Sequence, residues 1–201
     1  MNLAKTVQSL KNNGYKVSVF PTLKEADRYL NEQIDHTTVG IGGSMTIEAL
    51  GSFKTLSTHN QVYWHWYPED GVTPDETRKK AMSAAIYLSS VNALSEDGEM
   101  VNIDGAGNRL ASTLYGHEKV YLIAGANKIC ENLHKAIERA QNVAAPLNAR
   151  RLHCKTPCAV EDGHCYDCRS EERICSAMVI HYRKMTSSDM EVILVEESAG
   201  Y

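Results

Sequence analysis

Two rhythms of apolar and polar positions run along the chain, and an element ends where one rhythm gives way to the other. Residues 3–12 carry a helical pattern, Gly14 stops it, and Tyr15-Lys16-Val17-Ser18-Val19-Phe20 alternates as a strand does. Thr22 and Glu25 stand at capping-box spacing, since a Thr hydroxyl and a Glu carboxylate three residues on can satisfy each other's free amides; a helix to about Leu30 follows. Thr38-Val39-Gly40-Ile41 is a short strand of buried type that runs into Gly42-Gly43-Ser44-Met45-Thr46, with helix resuming at Ile47-Glu48-Ala49-Leu50. Residues 62–67 read as strand, Thr73-Pro74-Asp75-Glu76 as a second capping box with Pro at the first helical position, and 78–89 as helix. Asn92-Ala93-Leu94 and Met100-Val101-Asn102-Ile103 form two strands joined at Glu96-Asp97-Gly98-Glu99, where Asp-Gly supplies a tight turn. A second glycine-rich loop, Asp104-Gly105-Ala106-Gly107-Asn108-Arg109, precedes a short helix; 119–124 is an apolar strand, and 129–142 a helix with Leu133, Ile137 and Ala140 at helical spacing. Strands alternating with helices predict an α/β fold with a mainly parallel sheet flanked by helices. Ligands of such a sheet gather at the carboxyl ends of its strands, where both glycine loops fall.

Composition narrows the classes. The 201 residues are 43% hydrophobic and 23% charged, enough for one sizeable core and incompatible with disorder or a fibrous repeat. No repeat and no Pro/Ser-rich linker divides the chain, so 1–201 reads as a single domain with 153–176 as a cysteine-rich segment. The longest aliphatic runs are stubs such as Val192-Ile193-Leu194-Val195, far short of the ~18 apolar residues of a membrane helix, so no membrane partner is expected. The first residues, Met1-Asn2-Leu3-Ala4-Lys5, open neither an apolar signal core nor a cleavage site, which predicts a cytoplasmic location. With 21 basic against 25 acidic residues and no single-sign block, the footprint of a nucleic-acid partner is missing.

The glycine loops are the first candidates for chemistry. At Gly42, Gly43, Ser44 and Thr46 the glycines permit close backbone approach, while free amides and two hydroxyls suit a phosphate or carboxylate. The spacing is neither that of a dinucleotide loop nor that of a P-loop, and the alternative is a plain turn capped by Ser44. Glu96, Asp97 and Asp104 lie beside the second loop; a carboxylate there could act as nucleophile or general base, or could serve turn chemistry. Asn108 and Arg109 follow, and Arg109 could clamp a ligand anion or pair with Asp104. His65, between Trp64 and Trp66, is read as core filler, and Cys130 as a small core hydrophobe on a helix.

Cysteine usage stands out. Cys158-x6-Cys165-x2-Cys168-x6-Cys175 offers four thiolates on short loops, with Cys154 close by. In a reducing compartment such a cluster points to ligation rather than to disulfides. Four thiolates fit a [4Fe–4S] cluster or tetrahedral zinc. The single C-x2-C favours the cluster, since a zinc ribbon brings two knuckles, but Cys154 and Cys158 with Cys165 and Cys168 would serve zinc. His153 and His164 flank the set.

The run from Ser90 to Ala111, containing Ser95-Glu96-Asp97-Gly98-Glu99 and Asn102-Ile103-Asp104-Gly105-Ala106-Gly107-Asn108-Arg109, resembles the signature of the LUD (lactate utilisation) family. Gly42-Gly43-Ser44-Met45-Thr46, Leu147-Asn148-Ala149-Arg150-Arg151-Leu152 and the segment from Thr156 to Cys175 are similar to short members with a C-terminal cysteine motif. The resemblance implies a fold of the ribose-phosphate isomerase and CoA-transferase type and a link to lactate oxidation through iron–sulfur proteins, with other iron–sulfur subunits as partners and a possible homo-oligomer. Ser95-Glu96-Asp97-Gly98 also resembles the S-E-N-G motif of CoA-transferases, whose Glu forms an acyl thioester, with Asp97 here in place of Asn. The expectation is therefore an oxidoreductase component that binds a small anionic metabolite at Gly42, Gly43, Ser44, Thr46, Asn108 and Arg109 near one [4Fe–4S] cluster on Cys158, Cys165, Cys168 and Cys175. Its alternatives are a transferase or isomerase working through Glu96 or Asp104, and a sensor stapled by zinc.

Overall fold

The computed structural model describes residues 2–201. The first half runs α1 (Leu3–Asn12), β1 (Lys16–Phe20), α2 (Leu23–Gln33), β2 (Thr38–Ile41), α3 (Met45–Leu50), α4 (Ser52–Leu56), β3 (Gln61–Trp64), α5 (Pro74–Met82) and β4 (Ile86–Ser90). The hairpin β5 (Ala93–Ser95) and β6 (Met100–Asp104) follows, then α6 (Asn108–Leu114), β7 (Lys119–Gly125), a 3-10 turn at Ala126–Lys128 and β8 (Ile129–Cys130). The chain closes with α7 (Leu133–Arg139), a π turn at Ala140–Ala144, α8 (Ala145–Arg151), α9 (Pro157–Val160), β9 (Ala177–His181) and β10 (Asp189–Val195).

Six strands form one sheet in the order β1-β10-β7-β4-β2-β3, with every neighbouring pair parallel. Its central strands are buried on both faces, which is why residues 120–125 of β7 and 192–195 of β10 are apolar runs, while the edge strands β1 and β3 stay partly exposed. On one face Ile41, Leu88, Tyr121, Ile123, Ile193 and Val195 pack under α2, α3 and α4. On the other, the alternate residues Tyr87, Val120, Leu122, Val192 and Leu194 pack with Leu10 of α1 and Leu94 and Met100 of the hairpin. A smaller sheet, β8-β5-β6-β9, is covered by Ala136 and Ala140. The α/β expectation and the antiparallel hairpin are thus both found.

Three local expectations change. The helix predicted over 78–89 stops at Met82, and Ile86–Ser90 is instead the strand between β2 and β7. Ala and Leu favour helix only weakly, and insertion between two waiting strands outweighs them. The helix predicted over 129–142 starts only at Leu133, because Ile129 and Cys130 pair with Leu94 and Ser95 and Asn132 then caps Lys135 N at 3.0 Å. Cys130 therefore sits on a strand, half-buried against the smaller core. Beyond Arg139 the helix widens into the π turn just ahead of Pro146, whose ring and missing N–H disrupt a regular i→i−4 ladder. The strand predicted over 62–67 ends at Trp64, where Tyr67 N closes a turn onto Trp64 O at 2.9 Å.

Candidate functional site: a cationic cavity at the strand ends

The carboxyl ends of β2, β3 and β4 open onto a cavity of about 750 Å³ that the loop after β6 and helix α8 enclose. The first glycine loop forms part of its wall. Gly42 donates its N–H to Leu88 O at 3.0 Å, and a Cβ there would lie 2.8 Å from Tyr87 Oη and 3.0 Å from Arg109 Cγ, so only glycine fits. A Cβ on Gly43 would sit 3.2 Å from His65 Cε1, which brings the loop against the turn after β3. Ser44 Oγ accepts from Ile47 N at 3.3 Å and caps α3. Gly43 and Ser44 line the cavity; Thr46 is fully buried and donates to Ala199 O at 3.0 Å.

The second loop supplies Asp104, Gly105, Ala106 and Asn108 to the same cavity. Asp104 Oδ2 accepts from Arg109 N at 3.1 Å and Leu110 N at 3.3 Å, so it caps α6 while bordering the cavity. The Arg109 guanidinium turns inward: it donates to Ser90 O at 3.3 Å and Asn92 Oδ1 at 3.4 Å, and also to Asn102 Oδ1 and Ile103 O. It ties the loop to β4 and β6. Glu96 lies elsewhere. Its Oε1 accepts from Asn2 N at 2.6 Å and its Oε2 is 4.0 Å from Lys5 Nζ, at the start of α1 rather than among the residues lining the cavity.

Several cavity groups carry no sequence motif. Lys128, at the end of the turn after β7, is 2% exposed and donates to Thr46 Oγ1 at 2.7 Å, Ser90 Oγ at 2.9 Å and Val91 O at 3.0 Å. Burial, with Arg139 and Arg109 nearby, pushes its amine down to about 7. Arg78, Arg151 and Arg173 also line the cavity, and the Arg151 guanidinium lies 4.8 Å from the Trp66 ring centre. His65, expected as core filler, is instead half-buried at the cavity wall; burial, Arg78 and Arg151 hold it down at about 4, so it is neutral at pH 7. Among the lining residues Arg78, Arg109, Lys128, Arg151 and Arg173 face a single carboxylate, Asp104. Sequence reasoning missed Lys128, Arg78 and Tyr201; the rule that ligands gather at the carboxyl ends of parallel strands, applied to the end of β7, was the one signal that could have found Lys128.

The cysteine-rich segment lies next to this cavity with only the short helix α9 in it. All six cysteines are free thiols and half-buried. Cys165 and Cys175 border a second hollow of about 640 Å³, which shares Ile103, Ala145 and Arg173 with the first. Thr156 Oγ1 is 3.4 Å from Cys158 Sγ, and Arg173 donates from Nε to Cys175 Sγ at 3.1 Å and from Nη1 to Cys168 O at 2.6 Å. Burial pushes the Cys154 thiol up, with Glu172 and Cys158 adding to it. Among the described residues, no three Cys, His, Asp or Glu side chains are arranged to hold a metal ion. The donor chemistry suits a cluster or zinc; this arrangement of the thiols does not.

Among the described residues no helix is long and apolar enough to cross a membrane. No curated protein matches the chain. Among solved structures, the chain is similar to a DUF162 family protein from Deinococcus radiodurans at 10% identity, covering 96% of this chain and 95% of that one with a TM-score of 0.55. A second match, eIF2B beta from Chaetomium thermophilum, has 13% identity, a TM-score of 0.32, and covers 64% of this chain and 43% of that one. The first likeness extends the α/β fold over nearly the whole chain. The LUD domain model matches residues 3–195, taking in both glycine loops, Lys128 and the cysteine segment, and the chain belongs to the LUD-domain family.

Proposed function

We propose that this LUD-domain protein binds a small carboxylate metabolite, lactate or a related 2-hydroxy acid, in the cationic cavity and serves 2-hydroxy-acid utilisation. The observation that carries this reading is the charge of the lining: four arginines, with the Lys128 amine beside them, against Asp104 alone, in a chain whose net charge is −4. Arg78 and Arg151 supply cationic donors for a carboxylate, with Ser44, Asn92 and Asn108 available to a hydroxyl, while Arg173 is committed to Cys175, Cys168 and Asp167. Of the expected anion-site residues, Gly43, Ser44 and Asn108 act at the wall, while Gly42, Thr46 and Arg109 hold that wall in shape.

The cysteine segment belongs to the proposal as the seat of a single [4Fe–4S] cluster on Cys158, Cys165, Cys168 and Cys175, with structural zinc as the alternative. Either would have to draw the four thiols together and release Arg173 from Cys175. A bound cluster would supply one-electron chemistry beside the cavity.

Calorimetric titration of the full chain with lactate and with pyruvate, joined to iron, sulfide and zinc analysis of anaerobically purified protein, tests both parts. Saturable binding that competes with excess phosphate supports the cavity reading; no heat from either acid at millimolar concentration refutes it. Roughly four irons and four sulfides per chain identify the cluster, and about one zinc makes the segment a structural staple.

A further inference from the structure

The cavity holds Arg78 and Arg151 as anchors for an anion, so Lys128 is not needed as a third, and its surroundings are unlike those of one. Lys128 lines the cavity at 2% exposure, and its amine touches two hydroxyls and a carbonyl, Thr46 Oγ1, Ser90 Oγ and Val91 O, at 2.7, 2.9 and 3.0 Å. No carboxylate contributes to holding its charge; the charged groups that act on it are Arg139 and Arg109, both repulsive. An ammonium in such a place is poorly compensated. A neutral amine is not, because hydroxyls can donate as well as accept, and Thr46 and Ser90 can turn a proton towards the nitrogen lone pair. Ser90 Oγ already donates to Thr46 Oγ1 at 3.1 Å, so the two hydroxyls form a relay beside the amine.

We propose that Lys128 is a nucleophile for carbonyl compounds, and that its amine condenses with the keto group of a 2-oxo acid held by the cavity arginines to form an imine. The inference rests on the cavity being an anion site. In the step, the nitrogen lone pair attacks the keto carbon, a C–N bond forms, and the keto oxygen takes a proton to give a carbinolamine. That oxygen then leaves as water, both of whose hydrogens come from the amine, so neither oxidant nor reductant is consumed. The burial that lowers the amine to about 7 leaves a large share of it unprotonated at neutral pH, as the attack requires. A protonated imine would carry the positive charge of the former ammonium, which the ligand's own carboxylate offsets. The cavity would then fix a 2-oxo acid covalently but hold the matching 2-hydroxy acid only by its charge.

The test is to incubate the full chain with pyruvate and sodium cyanoborohydride, then measure intact mass and map peptides. The expected result is one adduct per chain, heavier by the mass of pyruvate less one oxygen atom, on the peptide that contains Lys128. Lactate in place of pyruvate should give no adduct, and Lys128→Met should lose it; if that variant fails to fold, the wild-type peptide map decides alone. Pyruvate that binds by calorimetry but leaves Lys128 unlabelled, or labels scattered surface lysines, overturns the imine while leaving the anion site standing. Absence of binding by pyruvate and lactate alike overturns both.

Discussion

Arg151, at the carboxyl end of α8, lays its guanidinium 4.8 Å from the ring centre of Trp66, in the turn after β3, so two elements distant in sequence close one side of the cavity through a single cation–π contact. Asn148 Oδ1 accepts from Arg151 Nε at 3.0 Å and Nη2 at 2.9 Å, which fixes the fork without neutralising it. Arg151→Gln should therefore weaken lactate binding about tenfold, the equivalent of ~1.4 kcal/mol, and leave the melting temperature nearly unchanged. Calorimetry with wild type and variant side by side checks this; equal affinities would make the contact purely structural.

Lys128 sets function against stability. Its amine titrates near 7 when folded and near 10.5 when unfolded, so between these values the unfolded chain binds more protons and stability rises with pH. Lys128→Met removes that dependence. The variant should be more stable than wild type at pH 7 by about 1–4 kcal/mol, with the gap closing as the pH approaches 10.5. Denaturant melts of both proteins across this range measure the gap, and a less stable variant at pH 7 would show that the three hydrogen bonds outweigh the buried charge.

Three histidines give the protein an acid-side limit. Burial lowers His65, to about 4, and also lowers His117 and His181 from the ordinary 6.5. An unfolded chain protonates these rings near pH 6.5 while the folded chain resists, so the stability they contribute is complete above that pH and falls away as the pH drops towards 4. His65→Asn should flatten part of this loss. Thermal melts between pH 4 and 7 report it directly, and parallel curves for variant and wild type would contradict the assignment.

The two carboxylates singled out by the sequence part company in space. Glu96 holds the start of α1 and does not line the cavity, so Glu96→Gln should leave lactate affinity within about twofold of wild type. Asp104 is the one acidic group in the lining, and Asn is an equally good cap for α6. Asp104→Asn should thus tighten anion binding a few-fold by removing repulsion across the cavity. A loss of binding would instead mean that Asp104 holds the ligand's hydroxyl.

What the sequence by itself determined was whatever short-range physics dictates. Capping pairs such as Thr73 with Glu76, glycine stops such as Gly14, the Asp-Gly turn at Asp97 and the apolar run of β7 act within a few residues, so the elements they mark were legible, as was the family signature from Ser90 to Ala111. Ile86–Ser90 and Ile129–Cys130 were not, because their local propensity is ambiguous and only neighbouring strands, far away in sequence, make them extended. The site divides in the same way. Both glycine loops fall at the strand ends as parallel-sheet topology requires, but which side chains face the cavity depends on packing. Arg109, the obvious anion clamp in the sequence, lines the cavity but spends its donors on the backbone and on Asn92 and Asn102, and Lys128, Arg78, Arg151 and Arg173 join it there from four other elements. Charge convergence of that kind is a property of three-dimensional neighbours, and no spacing along the chain encodes it.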